Sequence, residues 1–335
     1  MQGKGVTKIL TQFNADVLED TLMEMNQKLL SILLFDCTSK KNIIWATEDY
    51  VALGDEYNAE AEILPKLITR EHTTLIQPRI SKSKEEQERR VRDKAEVFTP
   101  SWICNQQSNL VDEAWFGRKN VFNTTNEKEW QATLEPIVFP ETGLRRWEKY
   151  VDAKRQEISC GEAPYLVSRY DSVTGVELPL QQRIGLLDRK LRIVNENTKT
   201  HEDWVKWATR AVQSVYGFEF QGDSLLLARE NVFLTFLEYH AQRFHELPDK
   251  KCMEKIARII SWNLWQMDGL KYVIPFSCKP MVWEETNLFE VVKLEEPCLG
   301  CKNNDIGKHN GIYCKIMDWR EKKSYRYIDL MKGAQ

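Results

Sequence analysis

Ser214-Val215-Tyr216-Gly217-Phe218-Glu219-Phe220 constrains the fold more than any other stretch of the chain. It reads as a short apolar strand that ends in an acid, and residues 222–240 follow at once as a long helix. The pairing recurs. Glu157-Ile158-Ser159-Cys160-Gly161-Glu162-Ala163-Pro164-Tyr165 reads as a strand end, a tight glycine turn and a helix entry. Asn263-Leu264-Trp265-Gln266-Met267-Asp268-Gly269-Leu270 supplies a third apolar run closed by an acid. Amphipathic helices over residues 183–194 and 202–214 separate the first two runs, and residues 255–260 read as a helix end or a strand. Strands punctuated by helices of this length point to an α/β chain with an open, mostly parallel sheet.

The flanks are less regular. Val17, Leu18, Leu22, Met25, Leu29, Leu30, Ile32 and Leu33 have helical spacing, and Asn42-Ile43-Ile44-Trp45-Ala46 reads as a short buried strand. Together they suggest an N-terminal α+β module over residues 1–90. Arg79, Lys82, Lys84, Arg89, Arg90, Arg92 and Lys94 then crowd one segment, with Glu85, Glu86 and Glu88 among them. Such a segment is either a solvated helix face with charge pairs four apart or an arm that contacts phosphates. In Val97-Phe98-Thr99-Pro100, the proline pushes Thr99 toward extended geometry and lets a helix start behind it. Near the other end, Ile312 to Met317 reads as a strand, with Asp318-Trp319-Arg320 after it.

Composition excludes several classes. A net charge of −3 over 335 residues is not the footprint of a protein that coats nucleic acid nonspecifically, although 47 Lys and Arg leave room for a local basic groove. No apolar run is long enough to cross a membrane, and the opening residues lack the apolar core of a secretory signal. Eight cysteines in a chain of this length are no disulfide scaffold. The expectation is a cytoplasmic protein with no membrane partner.

In an open parallel sheet, ligands bind beyond the carboxyl ends of the strands, where a glycine admits a cofactor and an acid takes a ribose diol. Gly161, Glu219 and Asp268 stand at three such ends in order. With Phe98-Thr99-Pro100 upstream, Ser159-Cys160-Gly161, Tyr216-Gly217-Phe218-Glu219 and the run from Asn263 to Leu270 resemble the adenine-N6 DNA methyltransferases of phage and bacterial restriction-modification systems. The resemblance covers roughly residues 95–275. It implies a Rossmann-like class I methyltransferase fold over residues 91–290, with S-adenosylmethionine as cofactor. Phe98, Thr99 and Pro100 would cradle the methionine end, with Ser159, Cys160 and Gly161 beside it. Glu219 would accept both ribose hydroxyls. Asp268 would face the adenine amine, with Phe220 or Leu270 packed on that ring. DNA with a flipped adenine is the implied partner, with another subunit for target recognition as a further one.

Two departures stand out. Glu162-Ala163-Pro164 replaces the family's second glycine, and its catalytic Asn/Asp/Ser-Pro-Pro-Tyr/Phe tetrapeptide is absent. That motif supplies hydrogen-bond acceptors to the flipped adenine's amine and a ring that stacks on the base. Asp318 and Trp319 are the substitutes expected for it. Without such a motif, a cofactor- and DNA-binding subunit with no catalysis is the rival reading, and a methyltransferase acting on another amine, in RNA or protein, is a third.

Cys298, Cys301, His309 and Cys314 give a C-x2-C-x7-H-x4-C spacing that suits tetrahedral zinc. Cys278 is the reserve ligand. The expected zinc loop, residues 291–335, would be structural.

Overall fold

The computed structural model describes residues 19–94, 99–141, 143, 145–286 and 291–332. In chain order the helices are α1 (Glu19–Met25), α2 (Leu29–Leu34), α3 (Lys84–Lys94), α4 (Ser101–Phe116), α5 (Trp147–Asp152), α6 (Leu186–Asn197), α7 (His201–Gln213), α8 (Gly222–Phe244), α9 (Lys250–Asn263), α10 (Leu299–Asn303) and α11 (Tyr327–Lys332). The strands are β1 (Asn123–Asn126), β2 (Glu129–Ala132), β3 (Arg155–Glu157), β4 (Val215–Glu219), β5 (Leu264–Gln266), β6 (Met281–Thr286), β7 (Val291–Glu296), β8 (Lys315–Asp318) and β9 (Lys323–Arg326). The chain is thus mixed α/β. Its central sheet has the order β3-β4-β5 and is parallel throughout, with Glu157 opposite Gly217 and Glu219 opposite Gln266. The other described strands form three antiparallel hairpins, β1–β2, β6–β7 and β8–β9.

Each crossover in the central sheet uses two helices: α6 and α7 lead to β4, and α8 and α9 lead to β5. Residues 255–260 lie within α9. The helix expected directly after Gly161 does not form; turns occupy that stretch, and the next α-helix starts at Leu186. Asn42 to Ala46 is an extended segment with isolated bridges, Phe35 to Asn42 and Ile44 to Glu62, in place of a strand.

Helix α8 is the hub. Residues 222–241 are all buried, and the helix packs on α2, α6, α9, β4 and β5. A helix hydrophobic on one face only could not occupy that position. Asp223, Arg229 and Glu238 on this helix are each paired inside the protein, as the cost of an unpaired buried charge requires. Asp223 receives Arg90 at 2.9 Å and the Tyr50 hydroxyl at 2.9 Å. Arg229 donates to the carbonyls of Leu33, Phe35, Ser261 and Leu264. Glu238 holds Arg169 at 3.2 Å and Arg183 at 2.5 Å.

The N-terminal residues share this core. Leu22, Leu30, Ile43, Trp45 and Ile63 belong to the same buried cluster as Leu225, Phe233 and Leu264, so packing runs across the boundary expected near residue 90. Gly222 donates its N–H to the Trp45 carbonyl at 2.9 Å. A Cβ on Gly222 would lie 2.0 Å from the Ile44 carbonyl oxygen, so only glycine allows this approach. Gln266 clasps Ile44 from the other side, accepting its N–H at 2.9 Å and donating to its carbonyl at 2.8 Å.

Candidate functional site

A cleft of about 1380 Å³ opens at the carboxyl ends of β3, β4 and β5. The turn after β3 forms its floor. Ser159, Gly161 and Ala163 all have left-handed backbone, with φ of 48°, 49° and 65°. For the two non-glycine residues this conformation costs on the order of 1–3 kcal/mol each, and it persists only where surroundings fix it. Cys160 supplies the fixing. It is fully buried, and its N–H continues the ladder to the Phe218 carbonyl at 2.8 Å. Gly217 leaves room for its sulfur, which would lie 3.2 Å from a Cβ there.

The turn aims the Gly161 N–H at Glu219, whose Oε2 accepts it at 2.9 Å. Glu219 Oε1 accepts from the N–H groups of Phe220 and Gln221 at 2.9 and 3.2 Å. Burial raises the Glu219 carboxyl above its ordinary value, and these three N–H groups oppose the rise. Glu157, at the end of β3, is a second buried carboxyl in the cleft wall. It accepts from Tyr165 and Leu166 at 3.2 and 3.1 Å, yet burial pushes it up to about 8.

The third wall follows β5. Asp268 Oδ1 accepts from the Leu270 and Lys271 N–H groups at 3.0 and 3.2 Å, and Oδ2 pairs with Lys271 Nζ at 3.1 Å. Leu270 stands exposed at the mouth. Phe220 meets Phe276 edge to face, with centroids 5.7 Å apart. Opposite them, α4 contributes Gln107, Ser108 and Val111. Ser108 Oγ is buried without a hydrogen-bond partner among the described residues.

Of the residues expected at the cofactor site, Thr99, Ser159, Cys160, Gly161, Glu219, Phe220, Asp268 and Leu270 all line this one cleft. Pro100 caps α4 and lies outside the lining, and Phe98 falls outside the described residues. Sequence reasoning missed the wall made by Ala46, Thr47, Glu48, Ala59 and Glu60, and it missed Glu157 as a buried acid. The cue for Glu157 was its place at the strand end just before the glycine turn; nothing local marked the N-terminal wall.

Asp318 and Trp319 need correction. They lie at the amino-terminal end of the central sheet, away from the cleft lining. Asp318 Oδ2 binds Lys154, which precedes β3, at 2.7 Å, and Oδ1 accepts from the Arg320 and Glu321 N–H groups at 2.8 and 3.1 Å. Burial would raise its carboxyl, but Lys154 and the two N–H groups outweigh that and hold it at about 2. Trp319 donates Nε1–H to Asn263 Oδ1 at 2.7 Å. Hairpin β8–β9 thus braces the wrong end of the sheet for chemistry at Gly161.

The cysteine cluster also differs in one member. Cys278, Cys298, Cys301 and His309 place their ligand atoms within 4.8 Å of one another, a set that could hold a metal ion. Cys314 is turned inward instead, fully buried, with its Sγ 3.3 Å from the Gln266 carbonyl. Strand pairing explains this: its N–H goes to the Tyr272 carbonyl and its carbonyl receives Tyr327, which points the side chain at β5. The sulfurs of Cys278, Cys298 and Cys301 stand 3.6, 3.7 and 3.6 Å from His309 Nδ1. Tetrahedral zinc with ordinary bond lengths has S···N edges of about 3.6 Å. Asn310 ties the two halves of the site together, accepting from the Lys279 N–H at 3.0 Å and donating to its carbonyl at 2.8 Å.

The cluster adjoins the cleft through one segment. Asp268 to Cys278 starts in the cleft wall and ends at a cluster sulfur, carrying Leu270 and Phe276 between. Ile274 donates to the Ile312 carbonyl at 2.9 Å, which links that segment to the chain between His309 and β8.

Comparison of the chain with protein-family models, with curated proteins and with solved structures gave no match. Among the described residues, no helix is long and apolar enough to cross a membrane.

Proposed function

We propose that the chain is an S-adenosylmethionine-dependent methyltransferase whose acceptor is the N6 amine of adenine in DNA. The observation that carries the reading is the convergence of a glycine turn, Glu219 and Asp268 from three successive parallel strands on one cleft. The order β3-β4-β5 is what the nucleoside half of a Rossmann-like sheet requires, with the ligand outside the carboxyl ends. Glu219 Oε1 already accepts two backbone N–H groups, while Oε2 accepts one and keeps a site for a ribose hydroxyl. Asp268 takes the amine of the cofactor's adenine, and Phe220, Phe276 and Leu270 cover that ring. At about 1380 Å³ the cleft exceeds the ~300–1,000 Å³ of a single small-molecule site and admits a second reactant beside the cofactor.

The donor set supports the reading, with acids for the ribose and the adenine amine and apolar side chains for the ring. When bound, S-adenosylmethionine supplies an electrophilic sulfonium methyl. The chain's own part is to bind, orient and exclude water. Cys278, Cys298, Cys301 and His309 hold zinc in this reading, and its role is structural, since all four positions are taken by protein.

A second reading is favoured by the placement of Asp318 and Trp319. Because they brace the far end of the sheet, the cleft has no identified substitute for the missing tetrapeptide. The chain would then be a cofactor- and DNA-binding subunit without turnover. Transfer of a labelled methyl group to adenine-containing duplexes separates the two: incorporation at N6 supports the enzyme, and cofactor binding without incorporation supports the subunit.

A further inference from the structure

The cleft has a half that the cofactor does not use. The groups assigned to the nucleoside stand at the ends of β4 and β5, whereas the lining also runs along β3 and α4. Helix α4 lies alongside β3 in the opposite direction. The Arg155 guanidinium stands 6.0 Å from the centre of the Trp115 ring. Toward the other end, Cys104 neighbours Glu157: burial and, after it, the Glu157 carboxyl push the Cys104 thiol up. Gln107 and Val111 fall between those two contacts on α4 and line the cleft, and β3 with its turn contributes Gln156, Glu157 and Ile158.

Of the polar side chains in this half, one is uncommitted. Gln156 Nε2 donates to the Tyr327 hydroxyl at 2.6 Å, and both Glu157 oxygens accept from backbone N–H groups. Gln107 is exposed and makes no hydrogen bond among the described residues. Its amide carries an acceptor and two donors in one plane. Ile158 supplies apolar surface beside it, 71% exposed on a backbone fixed from both sides. Glu157 before it is tied to Tyr165 and Leu166, and Cys160 after it is tied to Phe218. With Leu270 and Phe276 in the same lining, the exposed apolar side chains are gathered in the cleft rather than scattered.

We propose that Gln107 recognises the acceptor adenine by its amine edge and that Ile158 packs on the ring. The inference rests on the methyltransferase reading for the choice of adenine and on the Gln107 amide for the seat. An amine beside a ring nitrogen matches a glutamine amide atom for atom: Oε1 accepts from N6–H, and Nε2–H donates to the ring nitrogen. An edge with two acceptors, as guanine presents at O6 and N7, leaves Oε1 without a donor. The pairing also gives the amine an acceptor inside the cleft, which Asp318, held by Lys154 outside the lining, is not placed to supply.

The test is calorimetry with adenosine and with purine riboside, the same nucleoside without its amine, on protein saturated with S-adenosylhomocysteine. Wild type should prefer adenosine by about tenfold or more. Gln107→Ala should bring the two nucleosides to within about twofold of each other, and Ile158→Ala should weaken both alike. Both side chains are exposed, so both variants should melt as wild type does and keep its affinity for S-adenosylhomocysteine. A preference for adenosine that survives Gln107→Ala overturns the proposal. So does adenosine that displaces S-adenosylhomocysteine instead of binding beside it, or cytidine bound more tightly than adenosine. If S-adenosylhomocysteine itself does not bind, the cofactor reading falls alone: adenosine binding that still requires Gln107 keeps the purine seat, and binding indifferent to Gln107 removes it.

Discussion

Replacing Gly300 with alanine should cripple the cysteine–histidine cluster without touching a ligand. A Cβ at Gly300 would lie 2.5 Å from the His309 backbone nitrogen, 2.6 Å from its Nδ1 and 2.7 Å from its Cγ. Gly300 itself has little freedom to retreat. Its N–H donates to Lys308 at 3.0 Å and its carbonyl accepts from Asp305 at 3.0 Å. The imidazole must therefore move, and Nδ1 leaves the 3.6–3.7 Å edges it makes with the three sulfurs. Structural zinc in small sites is bound with about 10–16 kcal/mol at neutral pH, so an even share per ligand is about 3 kcal/mol. Loss of that share weakens binding by about 100-fold. Competition against a chromogenic chelator measures it, with His309→Ala as reference. Both variants should lose affinity to a similar degree, and both should loosen the Asp268 to Cys278 wall, read as a weaker cofactor affinity. Gly300→Ala protein that binds zinc as wild type does would refute the steric argument, and wild type that binds no zinc would refute the site.

Three further outcomes follow from the buried charges and the corrected site. Arg90→Ala leaves Asp223 buried with Lys82, Tyr50 and the Ser224 N–H as its partners, which should cost about 3–5 kcal/mol, and a melting temperature within a degree of wild type would contradict it. Glu157 is raised by burial to about 8 from an ordinary value of 4.5, so its contribution to stability is complete below that ordinary value and is lost as pH rises through about 8. Thermal denaturation of wild type should accordingly fall more steeply than that of Glu157→Gln over this window; parallel pH profiles would remove the assignment. Asp318→Ala breaks an ion pair whose lysine is half exposed, so it should cost no more than about 1 kcal/mol and leave cofactor affinity unchanged. A large loss of affinity in that variant would return Asp318 to the site.

The parts of this structure that were legible in sequence are those where one local pattern has one physical solution. The run from Ser214 to Phe220 could only be a buried strand feeding a crossover, and Glu219 emerged at its end as expected. Cys298 and Cys301 share one helical turn beginning at the Cys298 cap, so their pairing was local too. The failures come from contacts that close over long distances. Cys278, expected only as a reserve ligand should His309 point elsewhere, joins the cluster across hairpin β6–β7 beside His309 and in place of Cys314. Cys314 has a suitable spacing, but the pairing of Tyr272 and Tyr327 with its backbone turns it away. Asp318 follows an apolar run as Glu219 does, but its strand belongs to a hairpin whose end packs beside Lys154, and the carboxyl faces the amino side of the sheet. The charges of α8 were unreadable for another reason. A helix buried on every side shows no stripe, and the partners of Asp223, Arg229 and Glu238 lie in elements far along the chain.

Binding of a nucleoside cofactor in the Gly161–Glu219–Asp268 cleft is the property on which the proposed activity depends. Isothermal calorimetry with S-adenosylmethionine tests this most directly, on wild type and on Glu219→Gln. The expected result is one equivalent bound by wild type and a loss of at least about tenfold in the variant, because hydrogen bonds to a charged acceptor contribute about 1.5–3 kcal/mol each. No heat at about millimolar ligand, or equal binding by both proteins, would contradict the assignment of the cleft.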